Sequence, residues 1–331
     1  MSVTRLLFAL KHGGLTLPDA GRIAVIAPDA TFDLSALPRD RTEIVQSFLP
    51  DYLALQSRGY HCVTELGSDY AASVVCLPRS KSQARALIGH ASAVTPHGMI
   101  VVDGQKVSGV ESVLRNIRSR VAVDGTVSKA HGKLFWFAAD GAAFANWSQP
   151  ESTVNQDGFC TAPGLFSSDA VDPGSALLAS SLSLQGARVV ADLGAGWGYL
   201  SVQILRCKTV KTVYLVEAEQ RALRCAKLNI ADSRAIFHWA DGTTWRSPEA
   251  VDTVVMNPPF HIGRRCEPEL GKAFIAAAAA ALSPSGHLWM VANRHLPYES
   301  FLSDLFDKVE EAYGTSQFKI LHAQRPSNRS R

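Results

Sequence analysis

Two short stretches carry residue types that do chemistry through where they are held. Asp192-Leu193-Gly194-Ala195-Gly196-Trp197-Gly198 follows a β-branched run and precedes an amphipathic one, so it is predicted to sit where a strand ends and a helix begins. Glycines there let the backbone turn sharply and come close to a ligand, with the helix N-terminus facing the same crevice. The spacing does not fit the dinucleotide fingerprint G-x-G-x-x-G: counted from Gly194, the third glycine falls on Tyr199. Glu217 closes the next predicted strand, where a carboxylate accepts the two hydroxyls of a ribose or simply meets solvent. The second stretch, Asn257-Pro258-Pro259-Phe260, sets an amide oxygen and a main-chain carbonyl beside an aromatic face. Its prolines lack an N–H and have a fixed φ, which holds that carbonyl in place.

Asp-x-Gly-x-Gly-x-Gly resembles motif I of the class I S-adenosylmethionine (SAM) methyltransferases, whose glycine loop passes under the methionine and ribose of SAM. The resemblance implies a SAM site built from Asp192, Gly194, Ala195, Gly196, Gly198, Glu217, Ala218, Asp241, Gly242 and Asn257. Within it, Asp241 would accept a hydrogen bond from the adenine amino group. Asn257-Pro258-Pro259-Phe260 resembles motif IV of those members that methylate exocyclic or amide nitrogen, and it implies that these four residues are catalytic. An aromatic amino group is a poor nucleophile because its lone pair is delocalised into the ring. The Asn257 side-chain oxygen and the Pro258 carbonyl would accept its two N–H hydrogens, localise the lone pair, and stabilise the charge that develops on nitrogen. Phe260 would stack a base taken out of its helix.

Further motifs narrow the resemblance. His261-Ile-Gly263, Gly164-Leu-Phe166-Ser167 and Asp172-Pro-Gly174-Ser175, with the closing Phe318–Arg325 stretch, are similar to the RsmC/RlmG family. Its members are bacterial ribosomal RNA guanine-N2 methyltransferases with an inactive methyltransferase-like N-terminal domain. The resemblance implies SAM as cofactor and ribosomal RNA or a ribosomal subunit as partner. No metal site is expected.

Positioning such residues requires alternating strands and helices. Ala187–Leu193, Val213–Glu217, Ile236–Trp239, Thr253–Met256 and Leu288–Ala292 read as strands of an α/β, doubly wound parallel sheet. The helices between them run from the glycine turn to about Cys207, over Gln220–Ile230 and over Lys272–Leu282, the last ended by Ser-Pro-Ser-Gly. The N-terminal half repeats this grammar: Gly21–Ala27 parallels Gly186–Asp192, Val74–Pro78 parallels Val254–Pro258, and Arg85–Val102 parallels Ala273–Met290. Pro28, Asp29 and Ala30 stand where the second half has its glycines, and Leu77 stands for Asn257. Two tandem Rossmann-like domains are expected, the first a degenerate copy. The predicted boundaries are 1–147 for this copy (substrate recognition or shielding), 148–168 for a linker rich in turn formers, and 169–331 for the catalytic domain.

Composition sets the outer limits. A chain of 331 residues with 47% hydrophobic and 19% charged residues has material for two cores and is not disordered. Its formal net charge of +3 excludes a polybasic coat protein. None of the cysteines at 62, 76, 160, 207, 225 and 266 forms a C-x-x-C pair, which argues against a zinc ribbon and for reduced thiols. The longest strongly apolar run, Ala273–Leu282, is far short of the roughly 20 residues that span a bilayer. A cytoplasmic monomer without membrane contact is the expectation. Three basic groups offer either a phosphate track or a solvated face: Arg264 and Arg265; Arg115, Arg118, Arg120, Lys129 and Lys133; and Arg325, Arg329 and Arg331. His261 reads as a substrate contact or as a loop former. Trp197 reads as packing under the glycine loop. The same motifs suit adenine N6 or a protein glutamine amide as acceptor, and a non-catalytic RNA-binding assembly factor is the alternative from another class.

Overall fold

The computed structural model describes residues 4–327 apart from 149, 151, 260, 263, 264 and 267, with the backbone alone at 261, 262, 265 and 266. The chain divides into two compact units, 1–151 and 152–331.

The first unit contains α1 (Arg5–His12), β1 (Ile23–Ile26), β2 (Thr42–Val45), α2 (Leu49–Ser57), β3 (His61–Val63), β4 (Ala72–Cys76), α3 (Lys81–Val94), β5 (Met99–Gln105), α4 (Val110–Arg118), β6 (Gly125–Lys129) and β7 (Gly132–Ala138). The second opens with a short hairpin, β8 (Thr153–Val154) and β9 (Cys160–Thr161). It continues with α5 (Pro173–Ser181), β10 (Val189–Leu193), α6 (Tyr199–Leu205), β11 (Thr212–Glu217), α7 (Gln220–Asn229), β12 (Ala235–Trp239), β13 (Val251–Met256), β14 (His261–Ile262), β15 (Arg265–Cys266), α8 (Pro268–Ala281), β16 (Leu282–Asn293), α9 (Tyr298–Leu305), β17 (Phe306–Gly314) and β18 (Phe318–Pro326).

Each unit is built on one seven-stranded sheet, ordered β3-β2-β1-β4-β5-β7-β6 in the first and β12-β11-β10-β13-β16-β18-β17 in the second. Counted along each chain segment, both orders are third, second, first, fourth, fifth, seventh, sixth. In both, the last chain strand lies antiparallel between the fifth and the sixth. Both units therefore have the doubly wound fold expected from the sequence, and the order reverses between the first and fourth strands, where such sheets open a crevice. Alternate residues of the central strands of the second unit feed two cores. Ala191, Leu193, Val254 and Met256 pack with Phe274, Ile275 and Tyr298 of α8 and α9. Val190, Val213, Leu215 and Val255 pack with Leu178, Leu200 and Leu223 of α5, α6 and α7.

Three expectations change. Residues 152–168, read as linker, belong to the second unit: β9 is tied to α7 by Asn229, whose Oδ1 accepts from the Cys160 N–H at 2.7 Å and whose Nδ2 donates to the Cys160 carbonyl at 2.9 Å. Turn-forming residues build this hairpin, which composition alone does not distinguish from a tether. The Ser-Pro-Ser-Gly segment is drawn into β16 as an irregularity in its pairing with β13 instead of preceding the strand. The internal alignment also shifts. Ile26 pairs with Val45 and Val75, as Leu193 pairs with Val216 and Met256. The next residue in each case, Ala27 or Gly194, donates its N–H to the carbonyl of Val45 or Val216 at 2.9 Å. Ala27, Asp29 and Thr31 thus stand level with the three glycines, and Cys76, not Leu77, stands level with Asn257. Strands buried on both faces read as continuous apolar runs, which carry no mark of register.

Candidate active site

The sheet order sets β12, β11, β10 and β13 side by side, so the residues after their C-terminal ends share one edge. At about 4.8 Å per strand, the span from Asp241 beyond β12 to Asn257 beyond β13 is about 14 Å, the scale of a bound nucleoside with a substituent. The predicted SAM-site and catalytic residues that fall on described residues are on or next to this edge.

The glycine loop leaves β10 with Gly194, Gly196 and Gly198 at φ of 76°, 56° and 92°. A β-carbon on Gly196 would meet nothing within 4 Å, so this is the loop residue that a ligand can approach. Gly198 has the opposite surroundings: a β-carbon there would stand 2.9 Å from Ile230 Cδ1 and 3.2 Å from Ala226 Cβ, and its absence lets α6 close on α7. Ala195 is buried and donates its N–H to the Val216 carbonyl at 3.1 Å. Trp197 packs under the loop as expected, its Nε1–H donating to the Phe166 carbonyl at 3.0 Å and its ring 5.0 Å from that of Phe159. Gly242 faces the Phe274 ring, only 2.6 Å from where a β-carbon would lie, so that glycine makes room for α8.

Three carboxylates occupy different environments. Asp192 is wholly buried; its Oδ2 accepts from Ser201 Oγ at 2.7 Å, and its Oδ1 has no partner among the described residues. Burial pushes this carboxyl up to about 7, partly countered by Ser201, with the nearby Glu217 charge adding to the rise. Glu217 Oε2 accepts from the Gly196 N–H at 2.8 Å and Oε1 from the Glu219 N–H at 2.7 Å, which ties β11 to the loop and to the start of α7. Its carboxyl is also raised, chiefly by burial. Each of its oxygens retains a second lone pair for a ligand hydroxyl. Ala218, half-buried, accepts from Trp239 Nε1 through its carbonyl at 2.8 Å. Asp241 Oδ1 accepts from the N–H and hydroxyl of Thr243 at 2.8 and 2.7 Å, and so shapes the turn after β12.

Asn257 follows β13, beside the glycine-loop strand. Its Nδ2 donates to Asp172 Oδ2 at 3.0 Å and to Ser175 Oγ at 2.8 Å, both at the start of α5. Pro258 is buried and Pro259 exposed. Phe260, the expected stacking face, lies outside the described residues, as do Gly263, Arg264, Arg329, Arg331 and the side chain of His261.

The family described as "Methyltransferase small domain" matches residues 156–322, half of the chain. The chain belongs to it. Within this methyltransferase family the chain is similar to Ribosomal RNA small subunit methyltransferase C of Alteromonas mediterranea, at 25% identity over 95% of this chain and 97% of the relative. It is 28% identical to the protein of the same name from Shewanella loihica, over 76% of each chain. Among solved structures it shares its fold with "T. Thermophilus 16S rRNA N2 G1207 methyltransferase (RsmC) in complex with AdoMet and Guanosine". The TM-score is 0.77 at 23% identity, over 94% of this chain and 90% of that one. A fold shared over nearly the whole length matches the two tandem sheets.

Several features of this methyltransferase were not legible as site residues. Ser201 and Phe274 are an ordinary serine and phenylalanine of helices in the sequence, and only the packing brings them to Asp192 and to the glycines. The basic cluster of the first unit is largely committed elsewhere. Arg120 donates to the Ala143 carbonyl and Asn146 Oδ1, Lys133 pairs with Glu111 at 2.9 Å, and Lys129 lies over the Phe8 ring. Arg115 and Arg118 remain exposed at the end of α4. Among the described residues no helix is long and apolar enough to cross a membrane.

Proposed function

We propose that the protein methylates the exocyclic N2 amino group of a guanine in ribosomal RNA, using SAM. The observation that carries the reading is Asn257: both hydrogens of its amide are committed to Asp172 and Ser175, which leaves Oδ1 as an acceptor next to the Pro258 carbonyl and the glycine loop. A primary aromatic amine offers two N–H donors to such a pair, and holding both hydrogens turns its lone pair out of conjugation toward the methyl donor. The names of the relatives and of the solved structure with AdoMet and guanosine support guanine N2 and ribosomal RNA over adenine N6 or a protein amide.

The residues fit SAM. Glu217 would accept the ribose hydroxyls on its remaining lone pairs, Asp241 would face the adenine amino group, and Gly194, Ala195, Gly196 and Gly198 would pass beneath, with Gly196 open to close approach. Ala218 and Gly242 would flank the nucleoside. Burial and the Glu217 charge both disfavour the Asp192 anion, which the field of a nearby cationic ligand would favour. SAM supplies an electrophilic methyl on a sulfonium: the N2 lone pair forms the new bond as carbon–sulfur breaks, S-adenosylhomocysteine leaves, and one N2 proton passes to solvent. Pro258 and Pro259 hold the carbonyl acceptor rigid, and Phe260 would stack the displaced base. The first unit, by this reading, docks RNA or shields the catalytic unit without binding SAM.

The test offers the purified protein methyl-labelled SAM with unmodified ribosomal RNA, separate small and large subunits, genomic DNA and a protein fraction, and identifies the product by mass spectrometry. N2-methylguanosine confined to ribosomal material is expected. N6-methyladenine or labelled protein would overturn the acceptor, and absence of transfer with SAM bound would favour an assembly factor.

A further inference from the structure

Asn257 does not choose its own orientation. Asp172 is the N-cap of α5, and its Oδ2 accepts two hydrogen bonds at once: from the Ser175 N–H at 2.7 Å and from Asn257 Nδ2 at 3.0 Å. Ser175 Oγ accepts the second Nδ2 hydrogen at 2.8 Å from a side chain that is 8% exposed. A carboxylate has nothing to donate, so the amide can face Asp172 only with its nitrogen. No donor on a described residue reaches Oδ1. The support is itself crowded: a β-carbon on Gly174 would stand 3.0 Å from Asp172 Oδ2 and 3.2 Å from Phe318 Cε1, so position 174 cannot carry a side chain without pushing against the carboxylate or the Phe318 ring.

We propose that Asp172 and Ser175 are positioning residues for methyl transfer, which lock the Asn257 amide so that it presents an acceptor, never a donor, to the incoming nitrogen. The inference rests on the reading of Asn257 given above and adds what enforces it. An unlocked asparagine samples the flipped amide, whose Nδ2–H groups would oppose the N–H groups of the substrate. The lock also makes the site selective for an atom with two hydrogens to give: a carbonyl or an unprotonated ring nitrogen would face two acceptors. The N-cap of α5 thereby acts at the reacting nitrogen.

Three variants separate this role from folding. Asp172→Ser keeps an N-capping oxygen on a side chain too short to serve Asn257 as well. Asp172→Asn keeps one oxygen in the place of Oδ2 that accepts both hydrogen bonds. Ser175→Ala keeps the cap and removes one of the two partners of Nδ2. Steady-state transfer to the ribosomal substrate, SAM affinity by calorimetry and melting temperature are measured for each, alone and with Asn257→Ala. Asp172→Ser is expected to lower kcat roughly thirtyfold with KM and SAM affinity within about threefold, Asp172→Asn to restore kcat to within about threefold, and Ser175→Ala to lower kcat by about three- to tenfold. In the Asn257→Ala background none of the three should cost further activity. Wild-type kcat in Asp172→Ser, equal losses in Asp172→Ser and Asp172→Asn, or full additivity with Asn257→Ala would overturn the positioning role. Should Asp172→Ser melt early, Ser175→Ala at wild-type kcat is the overturning result. Full transfer by Asn257→Ala alone would instead sink the reading of Asn257 on which the proposal rests.

Discussion

Gln46 and Glu217 stand at matching places, one residue beyond the paired Val45 and Val216. One side-chain oxygen does the same work in each: Gln46 Oε1 accepts from the Phe48 N–H at 2.8 Å, as Glu217 Oε1 accepts from the Glu219 N–H. The other end is reversed. Gln46 Nε2 donates to the Pro28 carbonyl at 2.6 Å, whereas Glu217 Oε2 accepts from the Gly196 N–H. Ala27 even keeps the left-handed turn, at φ 55°, that Gly194 makes at 76°. The first unit has thus kept the turn and spent its polar groups on itself. The second sets two carboxylates where burial raises both.

The comparison can be broken in four ways. The largest effect is expected from Asn257→Ala, whose counterpart by sheet register is Cys76: transfer should fall about 10²–10³-fold while SAM affinity changes little, read by single-turnover kinetics beside calorimetry. Equal loss of both would remove its assigned role. Next, Glu217→Gln gives the second unit the side chain of the first. An amide nitrogen would then face the Gly196 N–H, or the oxygen would turn and leave Glu219 unserved, and SAM affinity should drop about 10–100-fold by calorimetry. The reciprocal Gln46→Glu sets a buried carboxylate against the Pro28 carbonyl; about 1–3 kcal/mol of stability should be lost in denaturant titration. The count should remain one SAM per chain, and a second bound SAM would show that the first unit lacks only that charge.

The smallest effect concerns pH. Asp192 is raised from 3.8 to about 7, so the folded state without ligand holds a proton that the unfolded chain has released, and the fold loses stability as pH rises from about 4 through 7. A cationic ligand favours the ionised carboxyl, so SAM affinity should rise by about three- to tenfold from about pH 6 to pH 8. Asp192→Asn should flatten that profile and melt higher than wild type at about pH 8 without SAM. A wild-type affinity that falls with pH would reverse the assigned electrostatics.

The chemistry was legible because it is local. Asp192 to Gly198 and Asn257 to Phe260 are contiguous, their spacing reports a strand-end turn and a proline-fixed carbonyl, and no partner from elsewhere is needed to recognise them. The presence of a second doubly wound unit was legible as an ordered series of matches, and the two sheets share one strand order. Register was not: in β1 and β4 every residue faces a core or a neighbouring strand, so a shift of one or two residues leaves the apolar pattern unchanged. The boundary at 152 was hidden for a related reason, since a two-residue ladder held by one asparagine has the composition of a linker.

Residue type and spacing alone placed a glycine loop and an Asn-Pro-Pro segment at the ends of two strands of a doubly wound sheet, and showed that the first half has neither. Only the tertiary structure decided which way those groups face. Asp172 and Asn257 are far apart along the chain, and the orientation of the amide exists only because α5 brings a carboxylate and a hydroxyl to its nitrogen. The same holds for Asp192, whose proton affinity comes from burial and from Glu217, on the neighbouring strand, and not from its neighbours in sequence. Identity is a property of the chain, while hydrogen-bond direction and charge energy belong to the neighbours that folding supplies.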